Sequence, residues 1–276
     1  MMRWRVHAWL AVWLVLTAGC TSVPTPAERR IYADTLAQAH GWQRSVISTT
    51  EFDVVAYMPA RINAALHLTV YIEGDGFAWV SGSQPSDDPT PRDPLGLRLA
   101  LAQPNGNAGY LARPCQFVVS SRCAQRYWTT QRFAPEVVNA SDQSLDALKS
   151  RFGAQRITLV GYSGGAAVAA LLAQRRNDVV RLVTVAGNLD HRAWTAYHHV
   201  MPLTGSLNPA DAASQFFNLP QVHWVGNDDM VVTPALARAW PLGFAGQNDA
   251  NVRVVPGFDH YCCWAQKWPQ LWSAAQ

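Results

Sequence analysis

The sequence carries little net charge, has very few lysines and lacks the cysteine spacing of a zinc site. It has 22 Lys and Arg against 19 Asp and Glu, a formal net charge of +3, and its lysines are Lys149 and Lys267. Near neutrality argues against a nucleic-acid partner, since binding a phosphate backbone calls for an excess of basic side chains. The absence of a Cys-x-x-Cys motif argues against a structural metal. Internal repeats and a second linker are also lacking, so we expect one large domain.

A long apolar run is missing as well, even at the N-terminus. Arg3 and Arg5 precede an apolar stretch at residues 9–16, which is shorter than the roughly 20 residues that a membrane-spanning helix needs. A basic start, a short apolar stretch and small residues before Cys20 resemble a bacterial lipoprotein signal. The resemblance implies that residues 1–19 are removed and that Cys20 becomes the lipidated first residue.

The residues around Cys20 also bear on the destination of the protein. Bacterial lipoproteins that lack an Asp directly after the lipidated Cys are usually sorted to the outer membrane. This chain has Thr21 there, so the resemblance implies the outer membrane, facing the periplasm. Thr17 stands where such signals usually carry Leu, and an ordinary secretory signal cleaved nearby is the alternative. We interpret residues 20–30 as the lipidated Cys and a tether, and residues 31–276 as a single domain.

The turn at residues 161–165 carries the strongest indication of chemistry. Its sequence, Gly-Tyr-Ser-Gly-Gly, follows an apolar run at 157–160 that is typical of a strand and precedes a run at 166–172 that predicts a helix. A G-x-S-x-G turn between a strand and a helix forms the nucleophile elbow of serine hydrolases. The flanking glycines permit a tight turn that lifts the hydroxyl of Ser163 clear of the sheet. A Gly-rich connection without a catalytic role is the alternative interpretation.

Candidates for an acid and a base follow further along the chain. Residues 221–225 have the pattern of a strand that runs into Asp228 and Asp229, and residues 251–255 that of a strand that runs into His260. The order Ser, Asp, His along the chain is that of α/β-hydrolases rather than of chymotrypsin-like or subtilisin-like enzymes. The chain therefore resembles the α/β-hydrolase superfamily.

The resemblance extends from about Val46 to His260 and implies an α/β-hydrolase fold. We expect a mostly parallel central sheet with helices on both faces, and a small cap formed by an insertion at about residues 193–217. The remaining patterns predict strands within 45–57, at 109–112 and at 181–186, and helices at 93–102 and 135–152.

Within this resemblance, Asp229 and His260 are expected to act on Ser163. Asp229 fits the G-x-x-D-x-x-V pattern of the superfamily at residues 226–232, and the neighbouring Asp228 is the alternative. His260 is expected to take the proton of the serine hydroxyl and to return it to the leaving group. The aspartate would fix the imidazole tautomer and stabilise its charged form. Water then cleaves the acyl-enzyme.

The resemblance also implies an oxyanion hole made of backbone N–H groups. One donor is expected from Gly164, the residue after the nucleophile, and the second from the loop after the strand at 67–72. In that loop Asp75 is the first candidate and Gly76 the next, although a simple Asp-Gly turn is the alternative. Glu73 occupies the position where the superfamily often has a histidine, a departure from the pattern.

Aromatic residues cluster near the expected mouth of the site. They are Phe77, Trp79, Tyr162 and Trp264. Either they line a pocket for an apolar acyl or aromatic group, or they pack in the core or at its rim. Trp268 and Trp272 are expected to pack against the sheet.

Four cysteines remain after Cys20, and an exported protein usually pairs them. Cys115 and Cys123 are eight positions apart and could close an excursion loop, unless residues 117–119 form a full strand. Cys262 and Cys263 are adjacent. They could pair with each other or with the first two, and the sequence leaves this open.

The sequence as a whole predicts a membrane-tethered, extracytoplasmic serine hydrolase that cleaves carboxylic esters. The resemblance implies no cofactor and no metal. The expected partners are a small-molecule or lipid-like ester and the bilayer that receives the acylated N-terminus. An amide or thioester hydrolase with the same residues, and a non-catalytic lipoprotein scaffold on a hydrolase fold, are the alternatives.

Overall fold

The computed structural model describes residues 23–216, 219–242 and 251–275. The expected signal peptide and Cys20 lie outside the described residues, as does residue 217 at the end of the expected cap. Within the described part, no helix is both long enough and apolar enough to cross a bilayer.

The core of the molecule is an eight-stranded sheet with the order β1-β2-β4-β3-β5-β6-β7-β8. Its strands are β1 (Trp42–Ser48), β2 (Asp53–Pro59), β3 (His67–Ile72), β4 (Asn107–Leu111), β5 (Arg156–Tyr162), β6 (Val179–Val185), β7 (Gln221–Gly226) and β8 (Val252–Val255). Strand β2 pairs antiparallel with β1 and β4, and all other pairs are parallel. The prediction of a mostly parallel sheet is confirmed.

Among the described residues, seven α-helices cover both faces of this sheet. They are α1 (Pro26–Ala39), α2 (Leu95–Leu101), α3 (Pro135–Phe152), α4 (Gly164–Ala173), α5 (His191–Tyr197), α6 (Pro234–Leu242) and α7 (Trp264–Ala274), with 3₁₀ helices at Gln125–Trp128 and Pro209–Phe216. The strands are buried from both sides because their successive side chains point to opposite faces. Val54 packs in the core beneath α3 and α4, whereas Val55 packs in the core beneath α1, α2 and α7.

The parallel strands bring the candidate residues to one edge of the sheet. Ser163, Asp229 and His260 all follow the carboxyl ends of parallel strands, β5, β7 and β8 respectively. In a sheet of this kind those ends lie together, and ligands bind in the crevice outside them. Strand β3, which lies next to β5, brings Asp75 to the same edge.

Candidate active site

Ser163 lies on a strained turn between β5 and α4. Its backbone has φ 49° and ψ −120°, a left-handed conformation that is rare for a residue with a side chain. The turn is pressed against the neighbouring strand: a Cβ at Gly165 would collide with the backbone oxygens of Ile72 and Glu73. The close approach of this turn to β3 therefore explains why a small residue follows the serine, and it fixes the position of Ser163 relative to β3.

Ser163, His260 and Asp229 form a continuous hydrogen-bonded chain. The Nε2 atom of His260 lies 3.0 Å from Oγ of Ser163, and its Nδ1 atom lies 2.9 Å from Oδ2 of Asp229. Asp229 is 1% exposed and His260 is 4% exposed. The geometry suits a base that accepts a proton from the serine while an acid holds the ring in place.

The loop after β7 selects Asp229 rather than Asp228. The Oδ1 atom of Asp229 accepts hydrogen bonds of 2.8 Å from the amides of Val231 and Val232, which leaves Oδ2 for the histidine. Asp228 is exposed, and its carboxylate accepts a bond from the side chain of Asn227. The two adjacent aspartates thus point to different environments.

Tyr162 ties the elbow to the loop that carries His260. Its hydroxyl donates a hydrogen bond of 3.2 Å to the backbone carbonyl of His260, and the two ring centroids are 5.5 Å apart. Burial raises the pKa of Tyr162 well above its usual value, so the hydroxyl keeps its proton and remains a donor. The sequence predicted Tyr162 as a pocket residue but gave no sign of this bond.

Backbone N–H groups are available beside Ser163. Gly164 is the first residue of α4, so its amide has no partner within the helix. Among the described residues, no hydrogen bond uses the amide of Asp75 or of Gly76. The carboxylate of Asp75 contacts Gly164 so closely that a Cβ there would collide with it. Two of the three predicted oxyanion residues, Gly164 and Asp75, therefore lie side by side at the start of α4.

The side chain of Asp75 is held by two guanidinium groups. Arg132 Nη1 lies 2.6 Å from Oδ2 of Asp75, and Arg113 Nη1 lies 3.3 Å from its Oδ1. Burial alone would raise the pKa of Asp75, but the two positive charges outweigh burial and lower it. Asp75 is therefore a carboxylate, and its ion pairs fix the loop that bears the candidate donors.

Glu73 supports the same loop from below. Its Oε1 atom accepts bonds from the amides of Gly74 (2.9 Å) and Gly96 (3.1 Å), and its Oε2 atom accepts one from the hydroxyl of Tyr110 (3.1 Å). Burial raises the pKa of Glu73 to about 7, although these three hydrogen bonds and a fourth from the amide of Leu97 act in the opposite direction. Glu73 thus joins the end of β3 to β4 and to the start of α2.

A disulfide-closed loop packs against this region. Cys115 is bonded to Cys123, with their Cα atoms 5.6 Å apart, which is the pairing that the sequence offered for an excursion loop. Residues 117–119 do not form a strand. Within the loop, Gln116 donates a bond of 3.0 Å to the carbonyl of Gly74. Cys262 and Cys263, whose pairing the sequence left open, are bonded to each other.

A cavity of about 400 Å³ opens over Ser163 and His260. Three of the four aromatic residues predicted for a pocket line it, namely Phe77, Trp79 and Tyr162. Trp264 does not, and the prediction is corrected: it is fully buried beneath the sheet, where it packs on Phe258. As the first residue of α7, it shares one helix face with Trp268 and Trp272, four and eight positions later.

The cavity also has walls formed by residues that the sequence did not indicate as pocket residues. They include Arg92, Arg132, Trp194, Val231 and Tyr261. Trp194 belongs to α5, inside the segment expected to form a cap, and its Nε1 donates a bond of 2.7 Å to the carbonyl of Val231. The spacing of Arg92 and Arg132 follows no local pattern, so only the fold reveals that they face Ser163.

The described residues contain no group of three or more His, Cys, Asp or Glu side chains that could hold a metal ion. The polar side chains that line the cavity carry a hydroxyl, an imidazole, carboxylates and guanidinium groups.

Comparison with solved structures identifies the fold. A serine hydrolase homologue from Coxiella burnetii aligns at a TM-score of 0.55 and 16% identity, covering 84% of this chain and 95% of that one. An esterase from Pyrococcus furiosus aligns at 0.57 and 13%, covering 84% and 89%. A serine hydrolase without a lid from Xanthomonas campestris aligns at 0.53 and 12%, covering 85% and 92%.

No protein-family model and no curated protein sequence matches the chain. At these low sequence identities, the similarity to solved structures shows the fold alone. It is sufficient to state that the chain has the α/β-hydrolase fold, as the sequence predicted.

Proposed function

We propose that this protein is a serine hydrolase that cleaves carboxylic esters through an acyl-enzyme. The observation that carries the proposal is the hydrogen-bonded chain from Ser163 through His260 to Asp229 at the floor of an open cavity. The fold supports the proposal, because structural neighbours of the chain include proteins described as serine hydrolases and esterases.

The geometry supports a two-stage reaction. His260 Nε2 takes the hydroxyl proton of Ser163 as Oγ attacks the ester carbonyl. The amides of Gly164 and of Asp75 or Gly76 stabilise the oxygen that becomes negative. The tetrahedral intermediate then expels the alcohol, which receives the proton from His260.

The second stage regenerates the enzyme. A water molecule gives a proton to His260 and attacks the acyl-serine carbonyl, and the same amides stabilise the second oxyanion. The carboxylic acid leaves as Oγ of Ser163 regains its proton from the imidazolium. Throughout, Asp229 holds Nδ1 and stabilises the charged ring.

The first experiment is labelling of the mature soluble domain with a fluorophosphonate, read by intact mass and peptide mapping. We expect one adduct at Ser163 and none in Ser163→Ala. Turnover of matched ester and amide substrates by the same samples then identifies the bond. Absence of an adduct on folded protein would contradict the proposal, and faster amide turnover would replace the ester by an amide.

We further propose that the mature protein is tethered to the outer membrane through Cys20 and faces the periplasm. The lipoprotein-like signal in the sequence motivates this, and the two disulfides suit an oxidising compartment. Growth with an alkyne-bearing fatty acid should label the protein and fractionate it with membranes. Cys20→Ser should remove both the label and the membrane association. Label retained in that variant would refute the tether.

A further inference from the structure

Arg132 lines the cavity and has a guanidinium nitrogen that makes no hydrogen bond to a described residue. Its Nε atom donates to the carbonyl of Thr129 at 2.7 Å, and its Nη1 atom to Asp75 at 2.6 Å. No hydrogen bond to a described residue uses its Nη2 atom, although the side chain is only 8% exposed. Some buried side-chain nitrogens, such as Nε of Arg113, have neither a hydrogen-bond partner nor contact with solvent. Nη2 of Arg132 is not one of them. Arg132 lines the cavity, and Nη2 is the nitrogen of its guanidinium group that is left for a bound molecule.

The charge of Arg132 is only partly compensated. Asp75 is shared between Arg132 and Arg113, so two guanidinium groups face one carboxylate. The guanidinium group of Arg132 therefore still attracts a second anion, particularly because water screens charges only weakly in a buried site.

The other charged residues around the cavity do not reverse this excess. Asp93 pairs with Arg98 at 2.5 Å. Burial raises the pKa of Glu73 to about 7, so that side chain is largely neutral below this pH. Arg92 is exposed and stacks over Phe77, with 5.0 Å from the guanidinium carbon to the ring centroid. Within the described part of the chain, no carboxylate lies within 4 Å of Arg92.

Arg132 lies close to the atoms that would react. The carboxylate that it binds contacts Gly164, the first candidate oxyanion donor and the residue after Ser163. An anion held by Nη2 would therefore lie near the ester that Ser163 attacks. Guanidinium groups bind carboxylates and phosphates through charge-assisted hydrogen bonds.

We propose that the preferred substrate carries an anionic group close to the scissile ester, and that Arg132 binds this group while Arg92 attracts it at the cavity mouth. The inference rests on the serine hydrolase function proposed above and narrows its substrate class. It distinguishes this site from a purely apolar pocket for acyl chains.

Matched substrate pairs test the inference. On the acyl side, mono-p-nitrophenyl adipate is compared with p-nitrophenyl hexanoate. On the alcohol side, phenyl acetate is compared with its para-carboxylate and para-phosphate derivatives. We expect kcat/KM of the unmodified protein to favour at least one anionic ester by about tenfold, mainly through KM. This preference should decline as KCl rises, whereas turnover of the neutral ester should not.

Variants separate binding of the anion from support of the loop. Arg132→Gln should reduce the ratio of anionic to neutral kcat/KM about tenfold, and Arg92→Gln about twofold. Arg61→Gln is the matched control, since Arg61 is exposed and does not line the cavity, and it should leave the ratio unchanged. Asp75→Asn should slow both esters because the loop loses its ion pairs, while the ratio is maintained or rises.

Each outcome decides the inference. The inference is contradicted if the unmodified protein prefers the neutral member of every substrate pair. It is also contradicted if Arg132→Gln slows the anionic and the neutral ester equally. If the phosphate ester is preferred over the carboxylate ester, the inference holds and the anionic group is identified as a phosphate. If Ser163 is labelled and neutral esters are cleaved without anionic preference, this inference alone fails. If no ester is cleaved and Ser163 is not labelled, the proposed function fails first.

Discussion

Tyr162 and His260 are joined by a hydrogen bond in which the tyrosine hydroxyl donates to the backbone carbonyl of the histidine at 3.2 Å. Tyr162 immediately precedes Ser163, so this one bond connects the turn that carries the nucleophile to the loop that carries the base. The bond positions the reacting groups relative to each other without touching the ester.

Tyr162→Phe should therefore lower kcat for ester hydrolysis about fivefold and change KM much less. The estimate is the loss of one hydrogen bond of about 1 kcal/mol that aligns His260. The measurement is steady-state kinetics on a neutral ester. Tyr197→Phe is the control, because Tyr197 is exposed, and it should leave both constants unchanged. An unaltered kcat in Tyr162→Phe would show that the bond does not position the histidine.

The two adjacent aspartates should behave very differently. Asp229→Asn retains the size of the side chain but favours the wrong imidazole tautomer, so we expect kcat to fall about 10³- to 10⁴-fold. Asp228→Asn alters an exposed carboxylate and should change kcat less than twofold. Circular dichroism and thermal unfolding of both variants exclude misfolding as the cause. A similar loss of activity from both changes would contradict the assignment of the acid.

The site residues that could be predicted are those that local pattern fixes. Ser163 is identified by its flanking glycines between a strand and a helix, because the turn leaves no space for larger residues. Asp229 is favoured over Asp228 by the G-x-x-D-x-x-V pattern of the superfamily that the chain resembles. His260 follows the last strand of the sheet. In each case a short segment and the order of the strands contain the necessary information.

The contacts that could not be predicted join distant segments of the chain. Asp75 meets Arg113 and Arg132 from 38 and 57 positions away, and no periodicity records such a meeting. The position of Trp264 near His260 in sequence favours the pocket as well as the core. Its spacing of four residues from Trp268 was the better guide, since residues at that spacing share one helix face.

The packing of the elbow against β3 leads to a stability prediction. Gly165→Ala introduces a Cβ that collides with the backbone oxygens of Ile72 and Glu73, which cannot rotate away as a side chain would. We expect a loss of about 1–3 kcal/mol in the free energy of unfolding and a lower kcat, because α4 must move away from β3. Thermal unfolding and ester kinetics measure the two effects.

Gly82→Ala is the matched control for that substitution. A Cβ at Gly82 meets no atom within 4 Å, so the same chemical change should be nearly neutral. Equal stability of the two alanine variants would show that the elbow has room for a methyl group.

Glu73 should make stability depend on pH. Its pKa is raised by burial from 4.5 to about 7 in the folded chain. Between those values the folded state holds a proton that the unfolded state has released, so the free energy of unfolding falls as pH rises from about 4.5 to 7. Above pH 7 both states are ionised and this contribution levels off, with a total loss on the order of 3 kcal/mol.

Glu73→Gln should remove this dependence while keeping the loop in place. Its amide oxygen can accept the bonds from Gly74 and Gly96, and its NH₂ group can donate to the oxygen of Tyr110. Urea unfolding at pH 5 and pH 8 measures the effect. Unmodified protein should lose about 3 kcal/mol more than Glu73→Gln between the two pH values. Asp87→Asn, which neutralises an exposed carboxylate, should follow the unmodified protein. If Glu73→Gln also follows it, the buried carboxyl does not titrate in this range.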